Sequence, residues 1–397
     1  MNILIVHNKY KIRGGEDVVV ENEAKLLKEM GVSVFEYIRS NDEIDKLSLW
    51  QKLLLPINTI FSHKTYREIK QIIEDNRIDV IQVHNFFAMI SPSVYYAGLK
   101  KGIPVFQTLH NYRLLCPNAL FLRNGRICEE CLSHSLLSSI QYKCYRDSVS
   151  QTLIITIMLY VHRVLGTFNR INYICLSEYN KDKFLRLNKK IGVKIEPNQV
   201  YVKPNFVEDY GYYGEEHDNY FLYVGRLSTE KGIINLLEAW KEYEIVGNKE
   251  KLIICGDGPE KDRVQQLCIN LNFAEYIGKI PHDLVLKYMS KAKALIVPSI
   301  CYESGPLSVI EAYSVGCPVL GSNIGNVNEI IISNVTGMRF NPNDVHSVVN
   351  TIISFNKLNN KQLRSNAYNY YKSVFSKNQN MEIFNVILQN NRNNDSV

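Results

Sequence analysis

Two acidic residues, Glu303 and Glu311, stand eight positions apart in the stretch Val297-Pro298-Ser299-Ile300-Cys301-Tyr302-Glu303-Ser304-Gly305-Pro306-Leu307-Ser308-Val309-Ile310-Glu311-Ala312. A buried strand ends at Pro298, a loop follows, and a helix opens with Ser304 or Gly305 as its cap and Pro306 in its first position. Gly316 stops that helix and Pro318 forbids its continuation. The helix start, Gly305-Pro306-Leu307, therefore falls at the carboxyl edge of a parallel strand, where open α/β sheets place their ligands. Unpaired N–H groups and the positive dipole end favour an anion there. Glu311 lies about one turn beyond Leu307 and can lean back toward the helix start. Two acids beside an anion repel it unless they point at hydroxyls. Glu303 therefore suits sugar hydroxyls and Glu311 a ribose diol.

Upstream, Gly225-Arg226-Leu227-Ser228-Thr229-Glu230-Lys231-Gly232 follows a strand at Tyr220–Val224 and opens into another helix. Arg226 and Lys231 are placed to neutralise a diphosphate, the arginine offering a bidentate fork. Gly256-Asp257-Gly258-Pro259 ends the next strand in the same way. Each turn alone is a common feature. Several in order along one sheet edge are not.

The elements behind these loops alternate short apolar runs with amphipathic segments, the pattern of parallel sheets with crossover helices. In the front half Asn2–His7 reads as a strand, with Arg13-Gly14-Gly15 in the loop after it and a helix over 16–30. Further strands are expected at Val32–Ile38, Ile78–His84, Ile103–Leu109, Ile171–Leu176 and Val200–Val202, and a helix at Ser91-Pro92. His110 arrives at the carboxyl end of the fourth of these six strands. Glu208–Asn219 reads as a linker, and the alternation restarts with strands at Tyr220–Val224, Lys251–Cys255, Ala292–Val297 and Pro318–Leu320. The expected architecture is α/β, two Rossmann-like domains facing each other across a cleft. They span 1–207 and 208–376, with 377–397 a last helix and polar tail packing back on the first domain.

The sequence resembles the group-one (family four) retaining glycosyltransferases of GT-B architecture. The resemblance rests on the E-x7-E pair Glu303 and Glu311, on Gly316-x-Pro318-Val319, on Arg226 and Lys231 in G-R-L-x-x-E-K-G, and on Leu252–Pro259. In the front half Gly14-Gly15-Glu16, His110 and Lys203-Pro204-Asn205 stand in the family's order. Thr108-Leu109-His110-Asn111-Tyr112 and Cys116-Pro117 resemble members that build bacterial surface polysaccharides. The resemblance implies a nucleotide-sugar domain at the C-terminal side and an acceptor domain at the N-terminal side. Arg226 and Lys231 would hold the diphosphate, Glu311 the ribose and Glu303 the donor sugar. Gly14-Gly15 would close over the phosphates, Gly256 would lie in the donor cradle, and His110 would sit beside the anomeric centre. Transfer would retain anomeric configuration, from a UDP- or GDP-sugar to a glycan or lipid-diphosphate-linked glycan, with no divalent metal and no cofactor beyond the donor. Two departures bear on the donor sugar. Ser304-Gly305-Pro306 stands where the family often has Gly-Phe-Gly, and Gly325-Asn326 where it has Gly-Gly. The competing readings are an idle sugar-nucleotide-binding scaffold and a sugar-nucleotide epimerase of the same architecture.

Composition bounds the rest. The 397 residues exceed one ordinary domain. The longest apolar run, Leu153–Val161, is far short of the roughly 20 residues of a bilayer span, and Leu153–Val164 reads as a core helix, with a membrane anchor as the alternative. No basic n-region or cleavage site precedes the first strand, so a cytoplasmic location is expected. The first 205 residues hold 28 Lys+Arg against 19 Asp+Glu, a net of +9, and the remainder 18 against 21, a net of −3. A basic front half suits an anionic partner: a phosphate-bearing acceptor, or peripheral contact with the inner membrane face. No nucleic-acid motif accompanies it, so nucleic acid is not an expected partner. Nine cysteines without a secretion signal read as reduced thiols. Among them Cys116, Cys128, Cys131 and Cys144 have the arithmetic of a structural zinc site, against the alternative of free thiols packed in an insertion.

Overall fold

The computed structural model describes residues 1–214 and 216–394, the side chains of 390–394 excepted. Glu215 of the expected linker and the end of the expected polar tail, 395–397, lie outside the described residues. The chain forms two compact units. The first takes Met1–Phe121, Glu129–Pro204 and the C-terminal stretch from Met381, and the second takes Leu122–Cys128 and Asn205–Asn380.

The first unit is built on a parallel sheet of β1 (Asn2–Lys9), β2 (Ser33–Ser40), β3 (Val80–Asn85), β4 (Val105–Thr108), β7 (Asn172–Cys175) and β8 (Val200–Val202). Its order is β2-β1-β3-β4-β7-β8. A small antiparallel hairpin, β5 (Leu122–Arg123) with β6 (Arg126–Ile127), interrupts it in sequence. The strands are continuous apolar runs because helices cover both faces of the sheet. Ile3 and Ile5 of β1, Phe106 of β4 and Ile174 of β7 share a core with Val20, Ala24 and Leu27 of the helix Gly15–Glu29. Phe384, Ile387 and Leu388 of the last helix, Lys377–Asn394, pack into that same core.

The second unit carries β9 (Tyr220–Val224), β10 (Lys251–Cys255), β11 (Ala274–Gly278), β12 (Ala294–Val297), β13 (Val319–Ser322) and β14 (Gly337–Phe340) in the order β11-β10-β9-β12-β13-β14. Every pairing is parallel. Alternate residues feed two cores, one on each face. Tyr220, Leu222, Ile253, Leu295 and Val297 go to one, and Phe221, Tyr223, Leu252, Ile254 and Ile296 to the other. Both sheets are thus doubly wound, and the strand order reverses between β1 and β3 in the first and between β9 and β12 in the second. Such switch points open a crevice at the carboxyl ends of the strands.

Three expectations need adjustment. The helix expected to begin at Pro306 begins one residue later, spanning Leu307–Ser314 with Pro306 as its cap, because the Pro306 backbone is still extended. The helix at Ser91-Pro92 likewise starts at Ser93, with the Ser91 hydroxyl accepting from the Ser93 N–H. Leu153–Val164 is no core helix: Val149–Val164 buries Ile155, Met158 and Leu159 but leaves Leu153, Ile157, Tyr160 and Val164 exposed, since it lies on the surface of the first unit. Among the described residues no helix is long and apolar enough to cross a membrane.

Candidate active site

In the second unit the switch-point strands β9 and β12 deliver the two loops singled out in the sequence. After β9 the chain runs through Gly225 and Arg226 into a short turn, Thr229–Lys231, and then into the helix Ile233–Ile245. Gly232 joins the turn to the helix at φ +70, and a Cβ there would stand 1.9 Å from the Pro298 carbonyl oxygen. Only glycine lets the β9 loop pass so near the end of β12. The Ile300 N–H donates to the Glu230 carbonyl at 3.0 Å and locks the two loops together.

That close passage brings Lys231 to Glu303, Nζ to Oε1 at 2.5 Å. Ser299 Oγ donates to the same oxygen at 2.6 Å. The carboxylate is nearly buried, at 12 % exposure. Burial opposes its ionisation, yet Lys231 and then Ser299 hold the Glu303 carboxyl below the usual carboxylate range. Burial likewise works against the Lys231 ammonium, and Glu303 overrides it, raising Lys231 above its ordinary value. Both groups are charged at neutral pH. Oε1 is doubly engaged, and Oε2 has no protein partner among the described residues. The Arg226 guanidinium is exposed and has no carboxylate partner among the described residues.

The helix Leu307–Ser314 starts with no side-chain cap, so its first N–H groups face outward from the loop. The loop itself is fixed from behind. Asn326 Nδ2 donates to the Ser304 carbonyl at 2.7 Å, and Asn205 Nδ2 donates to the Gly305 carbonyl at 3.2 Å. Asn326, one of the departures from the family pattern, is therefore a strut under this loop. Glu311 meets a residue that sequence reasoning missed: His282 Nε2 donates to its Oε1 at 2.8 Å. His282 packs edge-on against Tyr210, whose hydroxyl is pushed up to about 12 by burial and then by Glu311 and Glu208. His282 follows Pro281 at the start of the helix His282–Lys291, and no motif marks it. At the neighbouring strand end a Cβ on Gly256 would stand 1.9 Å from the Gly225 carbonyl oxygen, so the β9 and β10 loops nest through two glycines.

In the first unit the carboxyl ends of β1, β3 and β4 gather a buried polar cluster. Gly14 caps the helix Gly15–Glu29 in an extended conformation, and its N–H donates to Asp17 Oδ2 at 2.8 Å. His7 Nε2 donates to the other oxygen of Asp17 at 2.9 Å. A Cβ on Gly14 would touch nothing within 4 Å, so neither conformation nor packing within the chain demands glycine there. Glu16, next in the loop, is raised to about 8 by burial and then by Asp17, with Arg113 and Tyr10 opposing. His110 lies against His84, the rings stacked at 5.1 Å and the two nitrogens 2.9 Å apart. Burial, then His84, pushes His110 well below the ordinary histidine value; burial, then His7 and Lys203, does the same to His84. Both rings are neutral at pH 7, and one donates its proton to the other. Behind them Glu23 is held by Lys203 at 2.8 Å and by Gln82 at 2.9 Å. His84, Glu23 and Lys203 are thus site-building residues, of which the sequence offered only Lys203, within Lys203-Pro204-Asn205.

Cys116, Cys128, Cys131 and Cys144 form no disulfide, and among the described residues no three His, Cys, Asp or Glu side chains converge to hold a metal ion. The Cys116 thiol is pushed up by burial and accepts backbone hydrogen bonds from its own loop, which takes it out of reach as a ligand.

The profile of the family "Glycosyl transferases group 1" matches residues 213–373, the span that carries Arg226, Lys231, Glu303 and Glu311. An uncharacterized glycosyltransferase of Methanocaldococcus jannaschii is 26% identical over 378 residues, covering 92% of this chain and 90% of that protein. The fold is similar to that of sucrose-phosphate synthase from Thermosynechococcus elongatus, with a TM-score of 0.69 at 16% identity over 98% of both chains. It is also similar to Anabaena HepE in complex with UDP, with a TM-score of 0.65 at 16% identity over 98% of this chain and 100% of that one. Residues 213–373 thus carry a group 1 glycosyltransferase domain, and the two parallel-sheet Rossmann-like domains have the fold of the GT-B glycosyltransferases.

Proposed function

We infer that the protein is a retaining glycosyltransferase that moves a sugar from a nucleoside-diphosphate sugar to a glycan or lipid-diphosphate-linked glycan, in the cytoplasm, during surface-polysaccharide assembly. The observation that carries this reading is the switch-point constellation of the second unit. There the Lys231–Glu303 pair, the unpartnered Arg226 guanidinium and the uncapped helix start at Leu307 lie on the loops of adjacent strands. Arg226, Lys231 and the helix N-terminus take the diphosphate, and Glu311, steadied by His282, takes the ribose diol. Glu303 offers Oε2 to a hydroxyl of the donor sugar while Lys231 and Ser299 keep the carboxylate ionised and aimed. The UDP bound by the HepE relative supports a uridine donor over a guanosine one.

In the reaction the bond between the anomeric carbon and the diphosphate oxygen breaks. The acceptor oxygen bonds to that carbon on the same face, and its proton passes to the departing diphosphate. Two cations and a helix dipole aimed at the leaving group do the electrostatic work that a divalent metal does elsewhere. Within the first unit His110 is neutral and fixed by His84, at the carboxyl edge of its own sheet. The test is release of nucleoside diphosphate from a panel of sugar nucleotides, with proton NMR of the anomeric centre of the product. Retained configuration, with Arg226→Gln slower by about a hundredfold, supports the reading. Inverted product, or an Arg226→Gln enzyme with wild-type turnover, contradicts it.

A further inference from the structure

Of the 23 large apolar side chains exposed among the described residues, 13 fall in two stretches of the first unit, 49–57 and 137–165. On the helix Leu49–Ile60 the exposed residues are Leu49, Trp50, Leu53, Leu54 and Ile57, which share one face at the three-to-four spacing of a helical stripe. The helix Val149–Val164 repeats the pattern with Val149, Leu153, Ile157, Tyr160 and Val164, its opposite face being buried. The two helices pack against each other, and the Ile60 carbonyl at the end of one lies 2.9 Å from His162 Nε2 of the other. The two stripes thus lie on neighbouring helices of the first unit. The exposed apolar surface is on the order of 1,000 Å², against roughly 300–600 Å² for the largest patch on a typical monomer.

The charges around it indicate what covers it. Residues 46–67 hold Lys46, Lys52, Lys64 and Arg67 and no acidic residue. Residues 131–177 hold Lys143, Arg146 and Arg170 against the single Asp147, the Arg163 guanidinium being turned inward to the carbonyls of Leu114 and Leu115. A second copy seated on this face would bring two basic surfaces together, whereas an anionic bilayer satisfies the apolar stripe and its basic surround at once. Trp50 and Tyr160 supply the amphipathic rings favoured at headgroup depth. We propose that the paired helices Leu49–Ile60 and Val149–Val164 form a docking surface that lies in the interface of an anionic lipid bilayer without spanning it. The proposal extends the reading above, giving the acceptor domain a place to meet a lipid-linked glycan, but vesicle binding is measured without donor or acceptor. Failure of one leaves the other standing.

The chain carries its own reporter. Of its two tryptophans, Trp50 is 78% exposed and Trp240 fully buried in the second unit. Vesicles containing phosphatidylglycerol should shift Trp50 emission to the blue and sediment the protein, and added salt should weaken both effects. Vesicles of phosphatidylcholine alone should do neither. Leu53→Ser with Leu54→Ser, at exposed positions that leave the melting temperature unchanged, should lower the partition coefficient by about tenfold or more. Protein that stays in the supernatant with unshifted emission overturns the proposal, and equal binding to both vesicle types overturns the anionic assignment. A concentration-dependent dimer in sedimentation equilibrium, dissolved by the same double variant and blind to vesicles, assigns the face to a second copy and overturns it as well.

Discussion

Replacing Lys231 by Met keeps the length of the side chain and removes its charge, which leaves the Glu303 carboxylate in its nearly buried position with only Ser299 for company. Removing one partner of a fully buried pair costs about 3–5 kcal/mol. Here Lys231 is a third exposed and Glu303 is not, at 33% and 12%, so solvent reaches one end of the pair and the expected loss falls to about 1–2 kcal/mol. For a unit of this size that is about 3–6 °C in melting temperature at pH 7. The pH dependence gives the reasoning its sign. Glu303 has a folded-state value below its ordinary one, so its stabilising contribution is full above the ordinary carboxylate range and is lost as pH falls through the folded value. Lys231 is raised, so its contribution is present below its ordinary value and is lost only when pH climbs through the folded one. Between those limits the wild type should exceed Lys231→Met by a constant margin, and the margin should close as the buffer is acidified below the carboxylate range. In the variant burial acts on Glu303 with only the Ser299 hydrogen bond opposing it, so Glu303→Gln added to Lys231→Met should recover part of the loss. The assay is a thermal-melt series on the wild type, both single variants and the double variant across pH 3.5–8, an interval of about one unit below Glu303's ordinary value to neutrality and beyond. A Lys231→Met melt within about 1 °C of wild type at neutral pH, or a deficit that stays constant into acid, would refute the argument.

Three further outcomes follow from the geometry. Gly14→Ala should leave the melting temperature within about 1 °C of wild type, since its Cβ meets nothing and the extended backbone suits alanine, while donor-dependent turnover falls; a stability loss with unchanged turnover would reverse that assignment. Gly232→Ala should destabilise the second unit by about 2–4 kcal/mol in urea unfolding, because it combines a left-handed backbone with a clash against the Pro298 carbonyl, and a change under about 0.5 kcal/mol would show that the loops can part cheaply. The His84 and His110 ring resonances should stay in their neutral form through the ordinary histidine range; because both are depressed on folding, the stability they carry is full above that range and drains as pH falls below it, and titration of either near pH 6.5 would contradict the buried pair.

The parallel α/β architecture was legible because both sheets are buried on both faces, which makes their central strands unbroken apolar runs flanked by glycine-rich turns. Two strands of the second unit were missed, Ala274–Gly278 and Gly337–Phe340, and both are edges of the sheet. An edge strand faces solvent in part, and Ala-Glu-Tyr-Ile-Gly mixes polar with apolar residues accordingly. The helix Leu49–Ile60 also escaped, since Pro56 interrupts it and its apolar residues face outward, where no core periodicity is imposed. Within the site, Glu303, Glu311, Arg226 and Lys231 were readable because each sits at a fixed offset from a strand end. Their partners were not. His282 reaches Glu311 through tertiary packing from the start of a helix whose local sequence carries no signal for it, and Ser299 and Asn326, though in view in the sequence, gave no sign of the atoms they would hold.

Binding of a sugar nucleotide at the switch-point loops of the second unit is the property on which the donor site depends. A thermal-shift panel of UDP-, GDP-, ADP- and dTDP-sugars on wild type and on Glu311→Ala measures this, because a ligand at a hundred times its dissociation constant stabilises the native state by about 2.7 kcal/mol. One donor class should raise the melting temperature of the wild type by several degrees and that of Glu311→Ala much less, with the variant's unliganded melt close to wild type. No shift with any sugar nucleotide, or an undiminished shift in Glu311→Ala, would contradict the placement of the donor.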